Sequence, residues 1–117
     1  MWTLRKTMEI DAAHFLPDHP GKCQNLHGHR WKVQIQIETN QLNDQGMVVD
    51  FGTLKSIVNK LDHKVINDLA PFNETPPTAE NLARVIASQV RTLPNMPTAK
   101  LSVTVEESPG SSVTWVG

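Results

Sequence analysis

Every second residue from His27 to Ile37 is an imidazole or a large apolar side chain: His27, His29, Trp31, Val33, Ile35 and Ile37. The residues between them are Gly28, Arg30, Lys32, Gln34 and Gln36. A period of two is the repeat of an extended strand, in which residues i and i+2 share a face. The segment therefore reads as a half-buried strand whose other face meets water or a polar partner. A second run, Met8, Ile10, Ala12 and His14, alternates in the same way and ends on a third histidine. If the two runs pair antiparallel, His14, His27 and His29 meet on one face with apolar walls. Three imidazoles and an open position are the ligand set of a catalytic zinc site. An isolated H-x-H also fits two polar residues of a half-buried sheet. The third histidine, and a lone cysteine four residues before the pair, turn the reading toward a metal.

At 117 residues the chain has the length of a single domain, 1–117. The formal net charge is −1 with no basic run, which argues against nucleic acid as a partner. No apolar stretch approaches the ~20 residues of a membrane span. The start, M-W-T-L-R-K-T-M-E-I-D, lacks the apolar core and cleavage site of a secretory signal. One cysteine cannot form an internal disulfide, so a reducing cytoplasm is the expected location.

Taken in order, the pattern predicts a strand over about Thr3–His14, a Pro/Gly loop over Phe15–Leu26 and a long strand over His27–Thr39. The stretch N-Q-L-N-D-Q-G reads as a turn, followed by a short extended piece, Met47–Val49. Asp50 is a candidate N-cap. After it, Phe51, Leu54, Ile57, Val58 and Leu61 recur at helical spacing, predicting a helix to about Leu61 with these five on its buried face. Lys64–Pro77 is a connection with a possible short turn around Val65–Leu69. Thr78 caps a second helix, on which Leu82, Val85, Ile86, Gln89, Val90 and Leu93 share a face, and Pro94 ends it. Leu101, Val103, Val105 and Glu107 alternate as a third strand, Pro109-Gly110 turns the chain, and Ser112–Val116 is the fourth. The order β-β-α-α-β-β implies an α+β fold, an antiparallel four-stranded sheet with both helices on one face. Its two open edges invite pairing with another chain.

Several further residues carry chemistry. Cys23 lies in the loop after Lys22, whose ammonium favours a thiolate, the form that acts as base or ligand. The spacing to His27 leaves both roles open: general base, or fourth ligand of a closed structural site. Asp62-His63 is either an oriented acid–base pair or a histidine interacting with a helix C-terminus. Glu107 follows an apolar strand face, where a carboxylate wants a partner and suits an amidine-like N–H pair. Glu106 points the other way, Glu80 falls in the first turn of the second helix, and His19 reads as exposed.

The motifs A-A-H (12–14), C-Q-N-L-H-G-H (23–29), G-M-V-V-D-F (46–51), L-D-H (61–63), P-T-A-E-N-L-A (77–83) and V-T-V-E-E-S (103–108) together resemble the 6-pyruvoyl-tetrahydropterin synthase family. That family includes the bacterial 6-carboxytetrahydropterin synthases of queuosine biosynthesis. The resemblance spans nearly the whole chain, in order. It implies the tunnelling fold, a zinc cofactor on His14, His27 and His29, a proton-abstracting Cys23, and an Asp62–His63 pair. It further implies that Glu107 anchors the pterin ring and that Thr78 lines the pterin pocket. The implied substrate is 7,8-dihydroneopterin triphosphate, with Lys22 as the best basic group for the phosphates. The implied activity is that of a lyase giving a 6-carboxy product, with the 6-pyruvoyl product and a non-catalytic zinc module as alternatives. The implied assembly is a homohexamer of two stacked trimers, each trimer closing a twelve-stranded barrel. Ala79, where some members carry a second threonine, and Ser108, where threonine is commoner, depart from the pattern without touching the metal or the base.

Overall fold

The computed structural model describes residues 1–117. Strand β1 is Trp2–His14 and β2 is His27–Thr39. Helix α1 is Phe51–Asn59 and α2 is Ala79–Arg91, followed by β3, Lys100–Ser108, and β4, Ser111–Val116. The sheet runs β1-β2-β3-β4 with every neighbouring pair antiparallel. Both helices lie between β2 and β3 in the chain and pack against the sheet. This is the β-β-α-α-β-β fold expected from the alternation.

The inward residues of the strands and the apolar stripes of the helices form one core of 24 buried residues. Ile35, Ile37, Leu54, Val58, Ala87, Val90, Leu101 and Val103 are wholly removed from solvent. Truncating one of the large aliphatics to alanine costs about 2–5 kcal/mol, because a packed interior closes only partly around the gap.

Both helices start where the sequence places a cap. The Asp50 carboxylate accepts the Gly52 N–H at 2.7 Å, and the Thr78 hydroxyl accepts the Asn81 N–H at 3.1 Å. α1 ends two residues earlier than expected, and Lys60–His63 continue as turns that still bury Leu61. Phe51 does not join the core. It is 55% exposed, and the inward residue of β1 that meets it is Lys6, a charge and not an apolar side chain, with its ammonium 5.9 Å from the ring centroid. Met47–Val49 is not extended against any strand. It bends into α1, while Asn43 Oδ1 accepts the N–H groups of Gln45 and Met47 and organises the preceding turn. The short turn in the long connection is a single turn of 3-10 helix at Ile66–Asp68, and a similar turn at Lys22–Gln24 carries Cys23.

Candidate metal centre

The β1–β2 register brings the histidines together. His14 is the Cα partner of His27, Ala12 of His29, and Ile10 of Trp31. All six residues take inward positions, so the row of core side chains ends in a patch of three imidazoles. The ring centroids of His14 lie 4.6 Å from His27 and 5.1 Å from His29, and those of His27 and His29 are 4.8 Å apart. One ligand nitrogen from each falls within 4.8 Å of the others.

The protons on two of the rings are fixed from outside the cluster. His14 Nδ1 lies 2.8 Å from the Pro77 carbonyl and His27 Nδ1 lies 2.7 Å from the Asn25 carbonyl. A carbonyl only accepts, so each Nδ1 carries the hydrogen and each Nε2 keeps a free lone pair. The Nε2 atoms of His14 and His29 are buried and have no hydrogen-bond partner. Buried polar atoms are rarely left so. Burial holds both imidazoles below the ordinary histidine pKa, against the pull of the Pro77 carbonyl on His14 and of the Glu107 charge on both. Neutral imidazoles whose ligand nitrogens lie this close together, two of the rings held through Nδ1, fit a tetrahedral divalent metal with ligand distances of about 2.0–2.1 Å. Trp31 walls the cluster from below, edge-on to His14 and His29, with its indole N–H donated to the Ala12 carbonyl at 3.1 Å.

Glu107 closes one side. Continuing the β2–β3 register by one pair sets it opposite Trp31. Its Oε1 lies 3.3 Å from His29 Nε2, without the alignment of a hydrogen bond. The carboxylate is thus part of the cluster's rim. Its side chain is 32% exposed.

None of the other cysteine, histidine or acidic residues singled out above is among the converging ligand atoms. Cys23 is half-buried, and its thiol is not among the converging ligand atoms. That disfavours a closed four-ligand site. Lys22 beside it is exposed, and His19 is exposed with Nδ1 accepting the Gly21 N–H. Thr78 is half-buried and spends its hydroxyl on the helix cap. The His14–Pro77 bond brings the start of α2 to the cluster. Asp62 and His63 form a separate feature on β1. Asp62 Oδ1 accepts the Asp11 N–H at 2.9 Å, and the His63 N–H donates to the Asp11 carbonyl at 2.7 Å. His63 takes a left-handed φ of 58°, and its Nε2 lies 3.7 Å from Asp62 Oδ2, with the ring 79% exposed. The Asp11 carboxylate is paired with Arg30, which lowers its pKa.

Sequence reasoning missed the Pro77 and Asn25 carbonyls. Every residue has a carbonyl, so residue type carries no signal for them. The concavity of about 800 Å³ lined by Gln41–Gln45, Val48 and Asn95–Pro97 sits beyond the other end of β2 and has no part in the cluster.

A tunnelling-fold chain with a three-histidine centre at one end of its sheet is the class that fold and geometry define. The family model described as 6-pyruvoyl tetrahydropterin synthase matches residues 3–117, and the chain belongs to that family. It is 38% identical to the 6-carboxy-5,6,7,8-tetrahydropterin synthase of Bacillus subtilis (strain 168), over 92% of this chain and 80% of that one. It is 35% identical to the enzyme of the same name from Synechocystis sp. (strain ATCC 27184 / PCC 6803 / Kazusa), over 77% and 75%. The solved structure of Caenorhabditis elegans 6-pyruvoyl tetrahydropterin synthase superimposes with a TM-score of 0.82 at 26% identity, covering 99% of this chain and 95% of that one.

Proposed function

We propose that this chain is a zinc-dependent lyase that converts 7,8-dihydroneopterin triphosphate and water to 6-carboxy-5,6,7,8-tetrahydropterin, acetaldehyde and triphosphate. This is a step of the queuosine and 7-deazapurine type. The observation that carries the reading is the meeting of three histidine ligand nitrogens, two of the rings with their tautomers fixed by backbone carbonyls. His14, His27 and His29 would hold the zinc, which supplies Lewis acidity toward the side-chain oxygens of the substrate. Cys23 is the general base: its thiolate takes the carbon-bound proton of the pterin side chain, and the electron pair moves into the adjacent C=N of the ring. Exchange of a proton at the neighbouring carbon or oxygen falls to His63, oriented by Asp62. Thr78 lines the pterin pocket and Lys22 meets the phosphates.

Glu107 takes a role set by its distance to His29. With the substrate side chain at the histidines, the guanidine-like edge of the bicyclic ring points to the far end of the molecule. A carboxylate 3.3 Å from a ligand nitrogen meets the reacting side chain instead. We therefore assign Glu107 to that end, holding a hydroxyl or a proton in transit, rather than to the ring edge.

The separation of Asp62–His63 from the histidine cluster within one chain supports a site completed across a subunit boundary. So do the exposed apolar residues on the two edge strands, Trp2 at 53% and Val116 at 56%. We propose a homohexamer of two trimers, in which β1 of one chain meets β4 of the next and no sheet edge remains open. The 6-pyruvoyl product is the second reading, favoured by the name of the superimposed nematode structure. The higher identity to the 6-carboxy enzymes favours the first.

The test is Cys23→Ala. The variant should fold, keep its zinc and lose turnover by about 100-fold or more. Loss of zinc instead would assign Cys23 to the metal and favour a structural module.

A further inference from the structure

Asn67 has no part in the reaction described, yet it holds the root of the loop that carries Cys23. It lies in the 3-10 turn Ile66–Asp68, anchored by the fully buried Ile66. Its carboxamide meets the backbone of Phe15 in both senses. Oδ1 accepts the Phe15 N–H at 3.0 Å, and Nδ2 donates to the Phe15 carbonyl at 2.9 Å. The amide orientation follows, since a flip would set donor against donor and acceptor against acceptor. An aspartate there would offer acceptors only and leave the Phe15 carbonyl facing a negative charge.

The contact ends a series along the free edge of β1. In order, that edge receives the Asp62 carboxylate on Asp11, the His63 N–H on Asp11, the Lys64 carbonyl on Ala13, and the Asn67 carboxamide on Phe15. Phe15 stands between two parts of the site. Before it is His14, pinned through Nδ1 by Pro77. After it is Leu16, whose N–H donates to the Cys23 carbonyl at 2.8 Å. The turn Lys22–Gln24 contains no fully buried residue, and only Cys23 in it is half-buried, so side-chain packing holds it less firmly than the core strands. The loop's other backbone bonds, His19 to Leu16, Gln24 to Gly21 and Asn25 to Lys22, are internal. The hydrogen bonds that tie it to the rest of the chain are those of Asn67 at one root and of the His27 ring on Asn25 at the other.

We propose that Asn67 is a positioning residue: through Phe15 and the Leu16–Cys23 hydrogen bond it sets where the Cys23 thiol stands relative to the three histidines. The inference rests on the reading of Cys23 as the base. A displacement of about 1 Å in such a group costs on the order of 100-fold in rate.

The experiment compares the zinc-loaded wild type with Asn67→Ala, Asn67→Asp and a control, Thr39→Ala. The control loses a bond to the Thr98 carbonyl at the far end of the sheet. Zinc content, kcat and KM on 7,8-dihydroneopterin triphosphate, and the rate of alkylation of the single cysteine by iodoacetamide are measured. Asn67→Ala should keep its zinc and lose kcat by on the order of 10- to 100-fold, with KM changed less than about threefold. Its alkylation rate should differ from wild type, Asn67→Asp should follow it, and Thr39→Ala should match wild type in all four. In a Cys23→Ala background, Asn67→Ala should cost nothing further, because it acts through the missing group. Wild-type kcat and alkylation in Asn67→Ala, loss of zinc, or a full additional loss in the Cys23→Ala background would overturn the proposal. Should Asn67→Ala not fold, Asn67→Asp carries the test, and failure of both to fold would leave a purely structural role and overturn it. The alkylation arm needs no turnover. A wild type inactive on the pterin would sink the proposed function, while a changed alkylation rate would still report the clamp.

Discussion

His14 and His27 face each other across the β1–β2 ladder as direct Cα partners, with ring centroids 4.6 Å apart. A one-residue slip of this register would turn every inward side chain of β2 outward. The same register that buries Trp31, Val33, Ile35 and Ile37 therefore assembles the three-histidine cluster. The purified protein should carry about one zinc per chain, lost on His27→Ala or His29→Ala, by metal analysis after dialysis. Full occupancy in a chain with all three histidines replaced by alanine would contradict the assignment.

Glu107 and Glu106 are neighbours with opposite duties. Glu107 reaches the cluster, while Glu106 sits on the other face in register with Lys32. Glu107→Gln should fold and bind zinc yet lower kcat/KM by about 10- to 100-fold, with Glu106→Gln close to wild type. Equal losses from the two changes would show that face does not matter here.

Burial keeps His14 and His29 neutral at pH values where free histidine, with its ordinary value of 6.5, takes a proton. The unfolded chain then binds protons that the folded chain refuses, and stability falls with pH. In metal-free protein the contribution is complete above 6.5 and declines as pH drops from there toward the lower folded values. The neighbouring His27 adds to the effect and Glu107 opposes it. Melting temperatures of the metal-free protein should fall between pH 7.5 and 5, and fall less in His14→Ala. A flat profile in the native sequence would contradict the burial argument.

Most of the fold was legible because β1 alternates from Met8 to His14, β2 alternates from His27 to Ile37, and helices α1 and α2 carry their own caps. The meeting of the three histidines was legible for the same reason, since parity along each strand decides which face a histidine takes. Phe51 misled because helical spacing says which side a residue is on and not whether the core extends that far. The tie between Asp62 and Asp11, the carbonyls behind His14 and His27, and the Asn67 clamp were not legible. Each joins a side chain to a backbone group, all but the His27–Asn25 contact far along the chain, and backbone groups look alike in every sequence. The closeness of Glu107 to His29 depends on how β3 lies beside β2, which strand parity alone does not give.

The separation of Asp62–His63 from the cluster bears on assembly. Inactive Cys23→Ala chains mixed with His63→Ala chains after partial dissociation should regain some activity if the two residues serve one site from different chains. A fully active monomer by light scattering would rule the assembly out.

The most direct test of the account is mass spectrometry of the product that the zinc-loaded chain forms from 7,8-dihydroneopterin triphosphate. The account predicts 6-carboxy-5,6,7,8-tetrahydropterin with acetaldehyde and triphosphate. A 6-pyruvoyl product would contradict the assigned reaction, and unchanged substrate in the presence of bound zinc would contradict the enzyme itself.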